Sequence, residues 1–211
     1  MKIFMKYSYV LVASLFFLVS CGGPKTSDLD ELSESLENLN DQLDESLNEK
    51  TDDLSETTSS DLYVSKDGGF KIDFFGTKPQ VQSQMVDLGY GLGSVEMFMY
   101  MYEKSITEFY MLAYADYPTA YFDYIDPKES LKDVAGGFFG SYGTPTIDEE
   151  KEIDVDGNPG RHYKAHVDNN YFVYRTFYVD NRLYQLAMLR DGSYPSDENI
   201  ERFMESFELI K

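Results

Sequence analysis

The sequence predicts an α+β fold for residues 62–211, in which helices lie above and below a mainly antiparallel β-sheet. Three observations favour it. Eight segments rich in β-branched and aromatic residues are separated by turn signals, two more carry capped helical patterns, and the strand-like segments are apolar on both faces. Strands of that kind need cover on both sides of the sheet, which helices can supply.

The strand predictions rest on residue type and on alternation. They cover residues 70–75, 81–88, 95–102, 109–115, 147–155, 162–167, 171–179 and 183–189. Short turn signals beginning at Asp156, Asp168 and Asp180 join the last four of these segments. Links this short require neighbouring strands to run antiparallel, so residues 147–189 are predicted to form a meander.

Two segments are predicted to be helices. In the first, Asp126 is the N-cap, Pro127 takes the first helical position and Glu129 stands three residues after the cap. Its apolar residues at helical spacing are Leu131, Val134, Ala135 and Phe138. The second begins after Ser196, and its apolar face comprises Ile200, Phe203, Met204 and Phe207.

Residues 1–20 are typical of an export signal. Lys2 and Lys6 provide a positively charged start, and an apolar run of eleven residues follows at 9–19. As a helix this run spans about 16 Å, roughly half of a ~30 Å hydrocarbon core. It is therefore too short for a transmembrane helix and has the length of a signal-peptide core.

The end of this run carries a more specific pattern. The segment Leu18-Val19-Ser20-Cys21 resembles the bacterial lipoprotein lipobox, and Cys21 is the single cysteine of the chain. The resemblance implies that Cys21 is acylated, for example with palmitate, and becomes the new N-terminus. Several acyl chains hold a protein stably on a membrane. The alternative is an ordinary secretory signal with a cysteine at this position by chance.

Residues 21–61 form the predicted stalk. Between residues 28 and 61 there are 13 acidic residues and one lysine, and no aromatic residue. A leucine stripe at helical spacing comprises Leu29, Leu32, Leu36, Leu39 and Leu43. We interpret the segment as a solvated, partly helical tether. A coiled coil and docking onto a partner are the alternatives, the former opposed by like charges beside the stripe.

Charge and cysteine content exclude several classes of protein. The chain carries 38 acidic residues against 18 Lys and Arg, a formal net charge of −20. Sequence-independent nucleic-acid binding depends on Lys and Arg that neutralise phosphates, so nucleic acid is not an expected partner. A single cysteine can supply neither an internal disulfide nor a cysteine-based zinc site.

Short turn and core motifs of the domain resemble the PsbP-like family. They are Gly69-Phe70, Tyr114-Ala115-Asp116-Tyr117-Pro118, Gly157-Asn158-Pro159-Gly160-Arg161, Asn181-Arg182-Leu183-Tyr184 and Phe203-Met204-Glu205-Ser206-Phe207. The resemblance covers most of residues 63–210. It implies an α/β/α sandwich around an antiparallel sheet. The family includes photosystem accessory proteins, bacterial envelope lipoproteins and a Ran-binding protein, and it implies no shared catalytic residues.

Two patterns could suggest a metal site. Asp154, Asp156 and Asn158 begin like a calcium loop, but the positions that need Gly and Glu hold Pro159 and Ala165. A β-turn is therefore the better interpretation. His162 and His166 would lie about 13 Å apart on a strand, too far to share a zinc ion. We expect no metal and no cofactor.

Three further patterns give no support for an enzyme. The glycines of residues 89–93 precede a strand-like run, so a hairpin turn fits better than a phosphate cradle. Ser141 has Phe139 where a nucleophile elbow requires glycine. The carboxylates of residues 148–152 are typical of an acidic surface strand.

One cluster is a candidate contact surface. Five aromatic residues fall within residues 114–124, namely Tyr114, Tyr117, Tyr121, Phe122 and Tyr124. Tyrosine offers a large contact area at low entropic cost, so aromatic loops are candidate binding surfaces. The alternative is that these residues plug the open end of the sheet.

The function predicted from the sequence is that of a non-enzymatic, monomeric lipoprotein of the cell envelope that binds or helps assemble another envelope protein. Gly22 and Gly23 provide no acidic retention residue after Cys21, which favours the outer membrane, facing the periplasm or the cell surface. A small-ligand binding module that uses the 114–124 loop is the first alternative. An unrecognised hydrolase is the second.

Overall fold

The computed structural model describes residues 62–88, 93–123 and 125–210, so the signal segment, Cys21 and the stalk lie outside the described residues. Seven strands of the described chain form one antiparallel sheet. Its strands are β3 (Gln80–Asp87), β4 (Ser94–Ser105), β5 (Glu108–Asp116), β6 (Thr146–Val155), β7 (Asn158–Val167), β8 (Asn170–Val179) and β9 (Arg182–Asp191). All eight predicted segments contain an observed strand; the one at 70–75 is shortened to Phe70–Ile72.

The main sheet has the order β3-β4-β5-β9-β8-β7-β6, and every neighbouring pair is antiparallel. The predicted meander is confirmed, because β6, β7, β8 and β9 are consecutive both in the chain and in the sheet. Strand β5 closes onto β9, with Asp116 directly opposite Arg182. This pairing joins the first hairpin to the meander.

Three two-residue turns connect the meander, and each begins with an aspartate in the left-handed region. The φ angles are 53° at Asp156, 51° at Asp168 and 53° at Asp180. Aspartate tolerates this conformation better than most residues, and Asp156 is followed by Gly157 at φ 85°. The turns at Asp156 and Asp180 lie at one end of the sheet, and the turn at Asp168 lies at the other.

A second, smaller sheet was not predicted. It has the order β1-β2-β10 and comprises Tyr63–Ser65, Phe70–Ile72 and Glu208–Leu209. Strand β10 pairs antiparallel with β2, placing Leu209 opposite Phe70. Strands of two or three residues carry too little alternation to be recognised from sequence, and this pairing joins the two ends of the described chain.

Helix α1 (Pro127–Gly140) covers one face of the main sheet. Asp126 is its N-cap as predicted, since one carboxylate oxygen accepts from the backbone N–H groups of Lys128 and Glu129. Phe139 is buried, whereas the predicted Phe138 is only half-buried and stacks on Tyr174. Helix α1 therefore packs chiefly on β7 and β8.

Helix α2 (Asp197–Met204) lies on the opposite face, where the small sheet provides further cover. Its cap is Ser196, whose hydroxyl accepts from the Asn199 N–H. Phe207 lies beyond the helix end but joins the same apolar cluster as Phe203. The expected helix cover on both faces thus needs a correction: this face is shared between a short helix and a three-stranded sheet. In the described ranges no helix has the length and apolar character needed to cross a membrane.

Candidate binding cleft

The structure separates the aromatic residues predicted to form one contact surface. Tyr114 lies within β5, is 4% exposed and packs toward the small sheet. Tyr117 is 9% exposed and belongs to a cluster on the opposite face of the main sheet. Both residues are part of the core, so their assignment to a contact surface was wrong. Tyr124 lies outside the described residues.

Tyr121 and Phe122 lie in a short 3-10 helix, Thr119–Asp123, and are half-buried. Their rings pack around Tyr117 and Tyr178, with centroid distances of 4.9 Å between Tyr117 and Tyr121 and 5.1 Å between Phe122 and Tyr178. Burial raises the pKa of Tyr117 to about 12. These rings plug one end of the sheet beside the start of α1, as the alternative interpretation predicted.

The calcium-like pattern forms a hairpin turn. Asp154 accepts through Oδ1 from the Gly157 N–H at 2.7 Å, and strands β6 and β7 pair on either side. Ser141 is the C-cap of α1, and its hydroxyl donates to the Phe138 carbonyl. Of the glycine-rich segment, residues 89–92 lie outside the described residues, and the strands that flank it pair with each other as a hairpin would.

The two histidines share one face of β7, as predicted for a strand, and each has a protein partner. His162 accepts a hydrogen bond at Nδ1 from Arg175 Nε at 3.3 Å, and its Nε2 lies 3.5 Å from Glu149 Oε1. His166 Nδ1 lies 2.8 Å from Asp148 Oδ2. Among the described residues, no three His, Cys, Asp or Glu side chains are grouped so that they could hold a metal ion.

An open cleft of about 620 Å³ lies at the end of the sheet that carries the turns at Asp156 and Asp180. It is lined by the ends of β5 and β8, by the starts of β7 and β9, by Gly69 before β2, and by the last described residues. The lining residues are Gly69, Asp116, Asp156, Asn158, Val179, Asp180, Asn181, Arg182, Tyr184, Leu209 and Ile210. This site was not predicted from the sequence, in which Asp156 and Asp180 are interpreted as turn residues and Asp116 as part of a family motif.

Arg182 organises the cleft. Its Nε and Nη2 donate to the two carboxylate oxygens of Asp116 at 2.6 and 2.7 Å, and Nη1 donates to the Asp67 carbonyl at 2.8 Å. The guanidinium carbon lies 4.6 Å from the centre of the Tyr114 ring. Hydrogen bonding to Asp116 raises the pKa of Arg182. The bidentate pair forms because β5 and β9 place these two residues directly opposite each other.

A buried tyrosine supports the wall of the cleft. Tyr184 donates its hydroxyl hydrogen to the Gly68 carbonyl at 2.7 Å, which ties β9 to the turn before β2. Burial raises the pKa of Tyr184, so the hydroxyl stays protonated and remains a donor. A methyl group at Gly69 would come within 3.3 Å of this hydroxyl, and Gly69 has a φ of 66°. The close approach of the turn therefore favours glycine there.

The lining combines negative charge with apolar surface. Asp116 neutralises Arg182, which leaves the exposed carboxylates of Asp156 and Asp180 to make the lining negative. Val179, Leu209 and Ile210 supply aliphatic surface between them. Carboxylates beside aliphatic surface can bind a basic side chain, which lays its methylene stem on the apolar part and points its charge at the acids.

Comparison with known proteins gives structural neighbours only. No family model matches the chain, and no curated protein matches it in sequence. The fold is partly similar to the solution structure of the cyanobacterial PsbP protein CyanoP from Synechocystis sp. PCC 6803, with a TM-score of 0.43 and 10% identity over 75% of this chain and 98% of that chain. A crystal structure of a protein from Bacteroides thetaiotaomicron VPI-5482 has a TM-score of 0.39 and 10% identity, over 71% of this chain and 48% of that chain.

Proposed function

We propose that this chain is a membrane-anchored lipoprotein of the cell envelope whose domain binds another envelope protein without catalysis. The observation that supports the binding role is the cleft, in which Asp156 and Asp180 lie beside aliphatic surface. The ion pair in the same cleft, Arg182 with Asp116, is already satisfied within the protein. The anchor is supported by the sequence Leu18-Val19-Ser20-Cys21, which lies outside the described residues. We further propose that the domain is PsbP-like, an α/β/α sandwich whose second outer layer includes the small sheet.

The partner that fits the cleft is a basic segment of a protein. A lysine or arginine can cover Val179 and Leu209 with its methylene groups and bring its charge to the two free carboxylates. The contact is solvent-exposed, so it contributes orientation and association rate more than affinity. We therefore expect the complex to weaken as ionic strength rises.

The three similar turns of the meander allow a matched test of the cleft. We expect the double variant Asp156→Asn and Asp180→Asn, in the full-length chain, to lose most of the partner recovered after crosslinking in intact cells. Asparagine tolerates the left-handed conformation that the turns require, so only the charge is removed. The measurement is the amount of crosslinked partner recovered with the tagged chain.

Asp168→Asn is the control, because Asp168 has nearly the same φ angle but lies at the other end of the sheet. Its recovery should equal that of the unaltered chain. Equal recovery from the double variant and from this control would show that the cleft does not bind the partner. Turnover of an envelope substrate that persists without any partner and is lost on removal of one carboxylate would contradict the non-enzymatic role.

The anchor has its own test. Acyl labelling and membrane fractionation of the unaltered chain and of Cys21→Ala should show label and membrane association only when Cys21 is present. Fractionation into inner and outer membranes then tests the proposed outer-membrane location, which rests on Gly22 and Gly23 after the acylated residue. A Cys21→Ala chain that still takes up label and still sediments with membranes would disprove the anchor.

A further inference from the structure

The outer edge of β3 is a long sheet edge with a single charged residue. In the described part of the chain β3 pairs only with β4, through eight successive residue pairs from Gln80–Met101 to Asp87–Ser94 without a register shift. Alternate residues of an edge strand direct their N–H and C=O groups outward, away from the neighbouring strand. Its only charged residue is the last one, Asp87. From Gln80 to Val86, no charged side chain therefore opposes pairing with another strand.

The opposite edge of the same sheet is protected. Strand β6 carries six charged residues among its ten, and its register shifts between Ile147 and Glu149. Charged side chains and bulges are the devices by which proteins prevent edge-to-edge association. Because both edges belong to the same sheet, the difference in charge between them comes from the sequences of β3 and β6 and not from the fold in general.

Exposed apolar side chains mark one face of β3. Val81 is 48% exposed and Met85 is 66% exposed, and the small residue Ser83 lies between them opposite Phe98. On the other face Gln82 and Gln84 alternate with them and are uncharged. In an antiparallel pair of identical strands centred on Ser83, Val81 lies opposite the second copy's Met85 on one face, and Gln82 opposite its Gln84 on the other.

We propose that β3 pairs antiparallel with β3 of a second copy of this chain, centred on Ser83, so that two seven-stranded sheets become continuous. From Val81 to Met85 the pattern is complementary to itself: apolar residues meet apolar residues, amides meet amides, and Ser83 meets Ser83, while Gln80 meets Val86 at either end. A two-fold axis at Ser83 makes the contact isologous, which closes the assembly at a dimer. This replaces the monomer expected from the sequence, and it is independent of the cleft.

Cysteine crosslinking tests the register. In an antiparallel pair, residues directly opposite have Cα atoms about 4.5–5.5 Å apart, within the range that a disulfide spans. We expect Ser83→Cys in the full-length chain, in membranes, to form a disulfide-linked dimer on mild oxidation at least fivefold more than Gln82→Cys or the exposed Ser105→Cys. The unaltered chain, in which Cys21 is the only cysteine, provides the background.

Charge substitution tests the pairing without a covalent bond. The double variant Val81→Lys and Met85→Lys places lysines opposite lysines, so the concentration-dependent dimer of the full-length chain in detergent should disappear in sedimentation velocity. Ile106→Lys is the control, because Ile106 is 72% exposed but lies in the β4–β5 turn. It should leave the dimer unchanged.

Equal oxidation of Ser83→Cys, Gln82→Cys and Ser105→Cys would overturn the proposal, as would a chain that remains monomeric at every concentration. Crosslinking of Ser83→Cys to a different protein would also overturn it, since the edge would then receive another partner. Retention of the dimer by the double lysine variant would place the contact elsewhere.

Discussion

His162 shows how burial and its neighbours give one side chain an unusually low pKa. It is 7% exposed, between Arg175 on one side of the ring and Glu149 on the other. Burial, followed by the repulsion of Arg175, lowers the pKa of His162 to about 4. Because Nδ1 accepts from Arg175, the neutral ring carries its hydrogen on Nε2, which faces the Glu149 carboxylate. The residue is thus a neutral link between two charged side chains.

This lowered pKa predicts a loss of stability in mild acid. An unfolded histidine takes up a proton near pH 6.5, whereas the folded one does so only near pH 4. The contribution of His162 is therefore complete above pH 6.5 and is lost as the pH falls toward 4, by about 3 kcal/mol at most. We expect His162→Gln to remove that part of the pH dependence, measured by urea unfolding between pH 4 and pH 7. Parallel pH profiles for the two proteins would contradict this.

A second prediction at the residue scale concerns the contribution of Arg182 to stability. Arg182→Gln removes the bidentate bond to Asp116 and the bond to the Asp67 carbonyl, so we expect a loss of about 2 kcal/mol in unfolding free energy. Arg182→Lys keeps the charge but cannot form the fork, and should recover less than half of the loss. Full recovery by lysine, in chemical denaturation, would mean that charge alone matters.

At the scale of single elements, two glycines have opposite roles. Gly160 lies on β7, where an added Cβ would come within 2.8 Å of the Phe177 Cβ and 2.9 Å of the Thr176 carbonyl oxygen. Gly136 lies within α1 with nothing within 4 Å of an added Cβ. The strand position therefore requires glycine for close packing, while the helix position merely tolerates it.

These two positions predict substitutions of opposite sign. Gly160→Ala should destabilise the protein by about 2 kcal/mol, since the neighbouring strand must move. Gly136→Ala should stabilise it by up to about 1 kcal/mol, because alanine is the better helix former. Thermal unfolding of both variants provides the comparison, and a tolerated Gly160→Ala would mean that β7 and β8 can separate without penalty.

Elements of the fold were predictable from sequence where the signal is local. The caps Asp126 and Ser196 and the aspartate turns of the meander depend on neighbours a few residues away, and the structure confirms them. The small sheet depends on Phe70 meeting Leu209, which no local pattern encodes. The predicted face of α1 is confirmed at Leu131 and Ala135, but the fully buried ring is Phe139 and not Phe138, because Phe139 packs on Tyr163 as well as on Phe172.

The candidate site was harder to predict than the elements, because its residues are far apart in the chain. Asp116, Asp156 and Asp180 converge only when the ends of strands and turns meet at one end of the sheet. The prediction of one aromatic contact surface was wrong for the opposite reason, because residues that are close in sequence lie on different faces of the sheet. Tyr114 and Tyr117 are close in sequence, but alternation along β5 sends the first toward one face, while the chain leaving the strand brings the second to the other.

At the scale of the whole domain, the main sheet separates two apolar layers. Phe139 packs with Phe172 and Tyr174 beneath α1, and Phe203 packs with Tyr110 and Phe74 on the other face. Among the described residues, the two phenylalanines have no common ring partner. The layers should therefore respond to mutation independently.

Double-mutant cycles test that independence. Phe139→Leu and Phe203→Leu should each reduce the unfolding free energy by about 1–2 kcal/mol, and together by the sum within about 0.5 kcal/mol. Phe139→Leu with Phe172→Leu should depart from additivity by more than that, since those rings lie 5.7 Å apart. Equal coupling in both cycles, measured by urea unfolding, would mean that the sheet transmits strain between its faces.

The pairing of β10 with β2 has a consequence for the order of folding. Synthesis produces β2 long before β10, because 136 residues lie between Ile72 and Leu209. The meander can form from near neighbours as it emerges, whereas the small sheet can form only once β10 has been made. Until then the apolar side chains beneath it stay open to solvent, so the newly made chain passes through a stage at which one side of its largest sheet is uncovered.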